Sequence, residues 1–443
     1  MPPPAATSLS QATLNGANRA LLLATLAFAA CFSVWTLYAV MGLQLQQQLE
    51  LSATEYGFLL AAPILTGALL RIPLGILADR VSARLLWLYQ MLAVIPALLL
   101  LPMVDSYSGY LWLGLWFGIS GVSFTFGVRY VSQWFASNRQ GRALGLFGVG
   151  NAGVAITFVL VPLAINHAGW QWVGPLYAGG MLLISLLFVL LAPKEPPQFS
   201  PAKHQALSLR QLCSDARIWR FSLYYYFVFG SFLALLLWLP QYYMQAYAMD
   251  AQQAMAFTLF FVATSSMVRA LGGWFADRYG GRAVNWSVFW VCIVCLFFLS
   301  YPPTTLIIHG LQKDVRLEIG VNVWWFTLLI FIIGVAQGFG RASVYKVIHD
   351  YYPQHMGSAG GFVAAIGALG GCTLPILFGV AQDVLGIVTG CFMILYGVLA
   401  LCMITMFFAN QAAQYQQKLA AARADNFLLD DNMAVEAEDT PCK

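Results

Sequence analysis

The chain has 443 residues, of which 60% are hydrophobic and 9% charged, with a formal net charge of +4. Soluble domains carry about a quarter charged residues, so this composition excludes a soluble globular protein. The basic residues are spread over loops and helices, so no nucleic-acid partner is expected.

Apolar runs of about twenty residues recur from end to end, the length a helix needs to cross a bilayer. Lipid admits only helices or closed barrels. The runs are too continuous for the alternating strands of a barrel. The pattern therefore predicts an all-α integral membrane protein with twelve spans. Their expected limits are 20–42, 56–78, 85–103, 108–135, 141–164 and 170–192 in a first half. In a second half they are 218–245, 253–276, 284–302, 322–350, 358–381 and 386–409.

Segment 1–19 is polar, and the run after Arg19 is too long for a cleavable signal and is followed by more spans. The second span carries "TGALLRIPLGILADR", with Arg71 in an apolar run and Asp79-Arg80 at its end. Asp79 marks where the helix meets the surface. Arg71 lies eight residues deeper, which is about 12 Å of helix against a hydrocarbon half-thickness of about 15 Å. Arg71 thus belongs near the midplane. The fourth span holds Phe124, a candidate cavity wall or simply a packing aromatic, and Arg129.

The fifth span carries Gly141, Gly145, Gly148 and Gly153. Such residues let helices pack closely, and they also let backbone approach a small ligand. Asn151 interrupts this run; its amide can donate to an anion or to a neighbouring helix. A polar linker, 193–217, then separates the two expected six-helix bundles, 20–192 and 218–409. The seventh span opens with Tyr224, Tyr225 and Tyr226, one of which is a candidate to face a cavity.

In the eighth span the chain repeats itself. "LLRIPLGILADRVSAR" matches "MVRALGGWFADRYGGR" at a fixed offset of 198 residues, placing Arg71 on Arg269, Gly75 on Gly273, Asp79 on Asp277, Arg80 on Arg278 and Arg84 on Arg282. Two pseudo-symmetric halves related about the membrane normal predict a substrate site between them near the midplane. Asp79, Arg80, Asp277 and Arg278 sit at the cytoplasmic surface and are expected to pair across the halves as a gate. "CIVC" in the ninth span, Cys292 and Cys295, has metal or redox spacing but no third ligand, and reads as packing.

The tenth span holds Arg341, Tyr345 and Lys346. The cations lie toward the cytoplasmic end, where long side chains can snorkel. With Arg129 they are candidates for substrate contact, or for tuning the potential of a cavity or gate. The eleventh span has a second glycine run, Gly357, Gly361, Gly367, Gly370 and Gly371. The tail 410–443 is expected to be cytoplasmic, starting as a helix and ending disordered.

Every carboxylate falls in a loop, at a helix end or in the tail. A cation at mid-membrane costs about 2.5–3.5 kcal/mol. An anionic substrate compensates that cost, and the rigid donor fork of arginine matches planar oxyanions. The alternative is a structural arginine bonded to carbonyls or to a buried acid. Lys and Arg concentrate in one set of short loops, Arg80, Arg84, Arg139, Arg142, Arg278 and Arg282, and in the linker. Both termini are therefore expected to face the cytoplasm. No nucleophile–base or metal constellation shares one depth, so no enzyme, cofactor or metal is expected.

The loop G-x-x-x-D-R-x-G-x-R resembles the signature of the major facilitator superfamily, with Ser82 where glycine is usual. "GALLRIPLG", "QGRALGLFGVGNAG", "SMVRALGGWFADRYGG", "ASVYKVIHDYYPQHMGSAGGFVAAIGALGG" and "TLPILFG" resemble its nitrate/nitrite porters, over about residues 25–405. The resemblance implies nitrate, and also nitrite, held between Arg71 and Arg269, with contacts from Asn151 and Tyr225 and walls from Phe124 and Tyr345. It implies a multi-pass inner-membrane carrier working as a monomer in the lipid bilayer. The short loops and "VYK" look like the proton-coupled uptake branch. Arg129 departs from the family, where small or uncharged residues are usual. Alternatives are a nitrate/nitrite exchanger, a carrier of another small anion such as a carboxylate or organophosphate, and a membrane sensor.

Overall fold

The computed structural model describes residues 11–78, 81–135, 140–195, 208–309, 314–352 and 356–438. Twelve helical stretches are long and apolar enough to cross a membrane. The first six are Gly16–Gln48, Ala53–Ala78, Ala83–Met103, Tyr107–Ser132, Ala143–Ala168 and Trp170–Leu191. The last six are Ala216–Tyr247, Ala251–Tyr279, Gly281–Leu299, Val323–Tyr351, Ser358–Leu385 and Gly390–Ala412. They match the twelve expected runs, generally extending a few residues further at one or both ends.

Burial separates central from peripheral spans. In their most apolar windows, spans three, six, nine and twelve bury only 33–39% of residues, whereas spans one, four, seven and eleven bury 61–89%. Every third span is thus an outer one, in both halves, as a repeated bundle requires. The outer faces carry large apolar side chains such as Leu182, Leu186, Trp290 and Phe297, which suits contact with lipid.

Ends and breaks follow from local chemistry. Asp250 accepts from Gln253 N at 2.8 Å and Asn322 from Trp324 N at 3.0 Å, capping spans eight and ten. The two copies of the repeated loop solve their turn differently. Gly280 adopts φ +85°, while its counterpart Ser82 stays at φ −53° and caps the third span by accepting from Leu85 N. A side chain at φ +85° is strained, so the serine copy needs another geometry.

Several spans lose regular α geometry along their length. The first breaks after Trp35 and resumes at Tyr38. The fourth has a 3-10 turn at Gly118–Val122, the fifth one at Val149–Ala152, and the seventh a π-helical turn at Tyr226–Ser231. Such breaks release backbone groups, and inside a membrane they survive only where protein or a cavity satisfies them.

The all-α membrane architecture is as expected, and two local features differ from expectation. Strands β1 (Thr304–His309) and β2 (Asp314–Ile319) form an antiparallel hairpin in the loop between spans nine and ten. β-Branched residues there, Thr304, Thr305, Ile307 and Ile308 in β1 and Val315 and Ile319 in β2, favour a strand over an open loop. The tail does not end disordered within the described residues: the last helix runs from Gly390 to Glu438.

Candidate functional site

Arg71 and Arg269 come together at the centre. They are 2% and 7% exposed, and both guanidinium carbons approach one ring, Phe124, at 5.8 and 5.7 Å. Arg71 Nε and Nη2 donate to the Gly121 carbonyl at 3.2 and 3.1 Å. That carbonyl belongs to the 3-10 turn of span four, which explains why it is available. Arg71 Nη1 donates to the Ala364 carbonyl of span eleven at 3.2 Å. One N–H on each terminal nitrogen of the fork has no acceptor among the described residues. The guanidinium also stacks over Trp35 at 4.9 Å and Phe229 at 5.8 Å.

Arg269 crosses the other way. A Cβ built on Gly148 of span five would lie 3.1 Å from its Cζ, so the guanidinium lies close against this glycine. Among the described residues Arg269 has no hydrogen-bond acceptor. Each arginine of the repeat therefore reaches into the opposite half.

The other expected residues gather on the same centre. Asn151 lies in the 3-10 turn of span five, 1% exposed, and its Nδ2 has no partner among the described residues. Tyr225 is 1% exposed; it stacks on Phe229 at 5.2 Å and meets Tyr345 edge-on at 5.1 Å. Gly367 makes room for it: a Cβ there would lie 2.3 Å from Tyr225 Cδ1. Tyr345 donates to the Gly360 carbonyl at 3.2 Å and contacts Phe124 across the halves at 6.5 Å. Phe124 also packs on Phe28 and Phe147.

The three remaining cations separate. Arg341 does not snorkel. It is fully buried, stacks 4.0 Å from the Phe232 ring centroid, and donates Nη2 to the Ser265 carbonyl at 2.5 Å and to Ser265 Oγ at 2.7 Å. Ser265 lies just before the point where one helix ends at Met267 and the next begins at Arg269. Its polar atoms offer the cation a seat that apolar helix cannot. Arg341 Nη1 is unpartnered among the described residues. Lys346 is not beside this centre; it pairs with Asp277 at 3.7 Å and Asp350 at 3.2 Å near the helix end. Arg129 is half-buried in the last turn of its helix.

The described contacts of the expected gate residues lie within the second half. Asp277 pairs with Lys346 of its own half, and Arg278 stacks on Trp274 and Tyr279 of its own helix, at 5.5 and 5.7 Å. These described contacts do not join the halves. Asp79 and Arg80 lie outside the described residues. The halves are tied at the opposite end. Asp383 of span eleven accepts from Thr54 N at 2.8 Å, Thr54 Oγ1 at 2.5 Å and Ala53 N at 3.3 Å, capping span two.

Sequence reasoning missed Trp35, Phe229, Ser265 and Asp383. It also missed the Gly121 and Ala364 carbonyls, which carry no side-chain signal. For Asp383 one signal existed: an acid closing a span opposite a loop that opens with Ser52 and Thr54.

Residues 23–375 match the family model described as Major Facilitator Superfamily. The chain is 36% identical over 409 residues to the probable nitrate/nitrite antiporter NarK1 of Thermus thermophilus, covering 88% of this chain and 90% of that one. It is 27% identical over 364 residues to the nitrite extrusion protein of Bacillus subtilis, covering 82% and 87%. Two solved structures share the fold at a TM-score of 0.66 each. One is a bacterial homolog of the human lysosomal transporter Spinster, inward-facing and occupied, at 13% identity with 88% of this chain and 96% of that one covered. The other is the human organic anion transporter MFSD10, at 15% identity with 88% and 99% covered.

Proposed function

The chain belongs to the Major Facilitator Superfamily and, within it, to the nitrate/nitrite porters; from that premise we propose that it carries nitrate, and also nitrite, across the inner membrane by alternating access. The family consists of membrane transporters, not enzymes. The anion sits between Arg71 and Arg269. Asn151 and Tyr225 donate to it, and Phe124 and Tyr345 wall it. Arg341 raises the positive potential from behind. Both termini face the cytoplasm, and a monomer suffices.

One observation carries this reading. The described buried residues include Arg71, Arg269 and Arg341 but no Asp or Glu. Three desolvated cations with no counter-ion are costly in a membrane interior, and a monovalent oxyanion relieves that cost. The open N–H groups on Arg71, Arg269 and Asn151 supply the donors it needs. Planar nitrate suits the arginine fork better than a bulky ligand does, because rings of Trp35, Phe124, Phe229 and Tyr345 crowd the centre.

Uptake is driven by a co-transported proton; the support is the likeness of the short loops and "VYK" to the proton-coupled branch. A second reading, nitrate/nitrite exchange, is favoured by the same missing carboxylates. Exchange needs no proton carrier, and an empty cationic site resists reorienting. Proteoliposome uptake of labelled nitrate tests both. No nitrate flux and no nitrate binding by the intact protein overturns the assignment. Stimulation by an inward proton gradient supports symport, and stimulation by internal nitrite without a pH effect supports exchange.

A further inference from the structure

The β1–β2 hairpin has two chemically distinct faces. In its register Thr304 pairs with Ile319, Leu306 with Leu317 and Ile308 with Val315. Thr305 pairs with Glu318, Ile307 with Arg316 and His309 with Asp314. Directly paired residues share a face, and successive pairs alternate. One face therefore presents Leu306, Ile308, Leu317 and Ile319 beside Thr304, and the other presents Arg316 and Asp314 beside Thr305 and Ile307. On the apolar face Leu306, Ile308 and Leu317 are 45% exposed and Ile319 is 43% exposed.

We propose that this hairpin lies on the bilayer surface with its Leu306–Ile308–Leu317–Ile319 face in the lipid interface and its charged face toward water. Its position fits that occupant. β1 begins five residues after span nine ends at Leu299, and β2 ends four residues before span ten begins at Val323. The hairpin therefore leaves the bundle at the level where spans meet headgroups. Tyr301, Trp324 and Trp325 flank it, all exposed, and such aromatics concentrate at membrane interfaces. At the end of span nine, Phe297 and Phe298 are exposed as well. Arg316 on the polar face can meet lipid phosphates. A two-stranded hairpin is marginal in water by itself, and an interface that takes up its apolar face holds it in shape.

The test uses the full-length protein in proteoliposomes, in a Cys213→Ser, Cys442→Ser background. Single cysteines at 306, 317, 307 and 316 are labelled in turn with an environment-sensitive fluorophore. The proposal expects blue-shifted emission and quenching by lipids brominated near the headgroup at 306 and 317. It expects unshifted emission and quenching by aqueous iodide at 307 and 316. Equal aqueous quenching at all four positions overturns it. So does a blue shift at 306 and 317 that ignores brominated lipid and grows with protein density, because a second copy then covers the face. Nitrate flux measured in the same vesicles tests the transport reading separately, since its presence or absence does not bear on where the labels sit.

Discussion

Arg71 of span two donates its Nη1–H to the carbonyl of Ala364 in span eleven at 3.2 Å. The bond joins two parts of the chain that an alternating carrier must move apart. Arg269 mirrors it by lying against Gly148 of the first half. Each arginine thus touches the half it does not belong to. On the proposed transport reading, an anion between them takes the remaining N–H groups of the same fork, which would couple its binding to the contact between halves.

Arg71→Lys is expected to lower nitrate transport strongly. A lysine ammonium is a point charge and cannot reproduce the fork that serves Gly121, Ala364 and a planar anion together. Losing one charge-assisted hydrogen bond, worth about 1.5–3 kcal/mol, lowers apparent affinity about 10- to 150-fold. Labelled-nitrate uptake by equal amounts of purified protein reads this directly. Uptake like the parent's rejects the fork argument.

Asn151→Ala is expected to raise the KM for nitrate without lowering Tm. Its Nδ2 has no partner in the described chain, so the substitution removes no internal bond from that nitrogen. Losing a donor to the anion costs about 1–2 kcal/mol, or about five- to thirtyfold in affinity. A fall in Tm with unchanged KM makes Asn151 a packing residue.

The glycine runs separate by what a methyl group meets. Gly367→Ala places Cβ 2.3 Å from Tyr225 Cδ1, whereas Gly145→Ala meets nothing within 4 Å. Overpacking a buried site costs about 1–3 kcal/mol, so Gly367→Ala is expected to lose stability and transport together. Gly145→Ala is expected to match the parent in both. Melting curves and uptake on the pair check it.

Arg341 and Lys346 lie within two helical turns of each other but have different fates. Lys346→Gln breaks partly exposed pairs with Asp277 and Asp350. Such pairs are worth about 0–1 kcal/mol, so uptake is expected to stay within about fivefold of the parent. Arg341→Gln removes a fully buried cation seated on Ser265 and Phe232 and is expected to reduce uptake more than Lys346→Gln does. The reverse order places the functional charge at the helix end.

Several of these features were legible in the sequence because they leave side-chain marks. The twelve runs, the repeated arginines and the missing mid-span acids come from composition and spacing. The repeat also gave Ser82 and Gly280 as non-equivalent turns, and their backbone angles differ. What stayed hidden is backbone. Gly121 and Ala364 act through carbonyls, available to any residue type, and a 3-10 turn inside an apolar span has no distinctive composition. Depth along one helix also does not fix where a neighbour packs, so Arg341 and Lys346 looked alike until span eight was placed beside span ten. The hairpin failed for a different reason: its two short strands flank a loop and resemble one.

Asp383 and Thr54 close the bundle at the end away from Arg278. The carboxylate accepts three hydrogen bonds from Ala53 and Thr54, one of them at 2.5 Å, all across the halves. Asp383→Ala removes the cap, and a helix N-cap is worth about 0.5–2 kcal/mol. Opening at this end requires breaking the cap, so its loss favours the open conformation by about 2- to 30-fold. Spin labels at Phe58 and Val384, both exposed, report the separation of spans two and eleven by pulsed dipolar spectroscopy. The variant is expected to enlarge the longer-distance population, with nitrate affinity kept because Asp383 lies near the far end of span eleven from Ala364, where Arg71 bonds. Identical distance distributions show that the close packing of Gly57 on Pro375 and of Gly379 on Ala53 holds this end shut without the carboxylate.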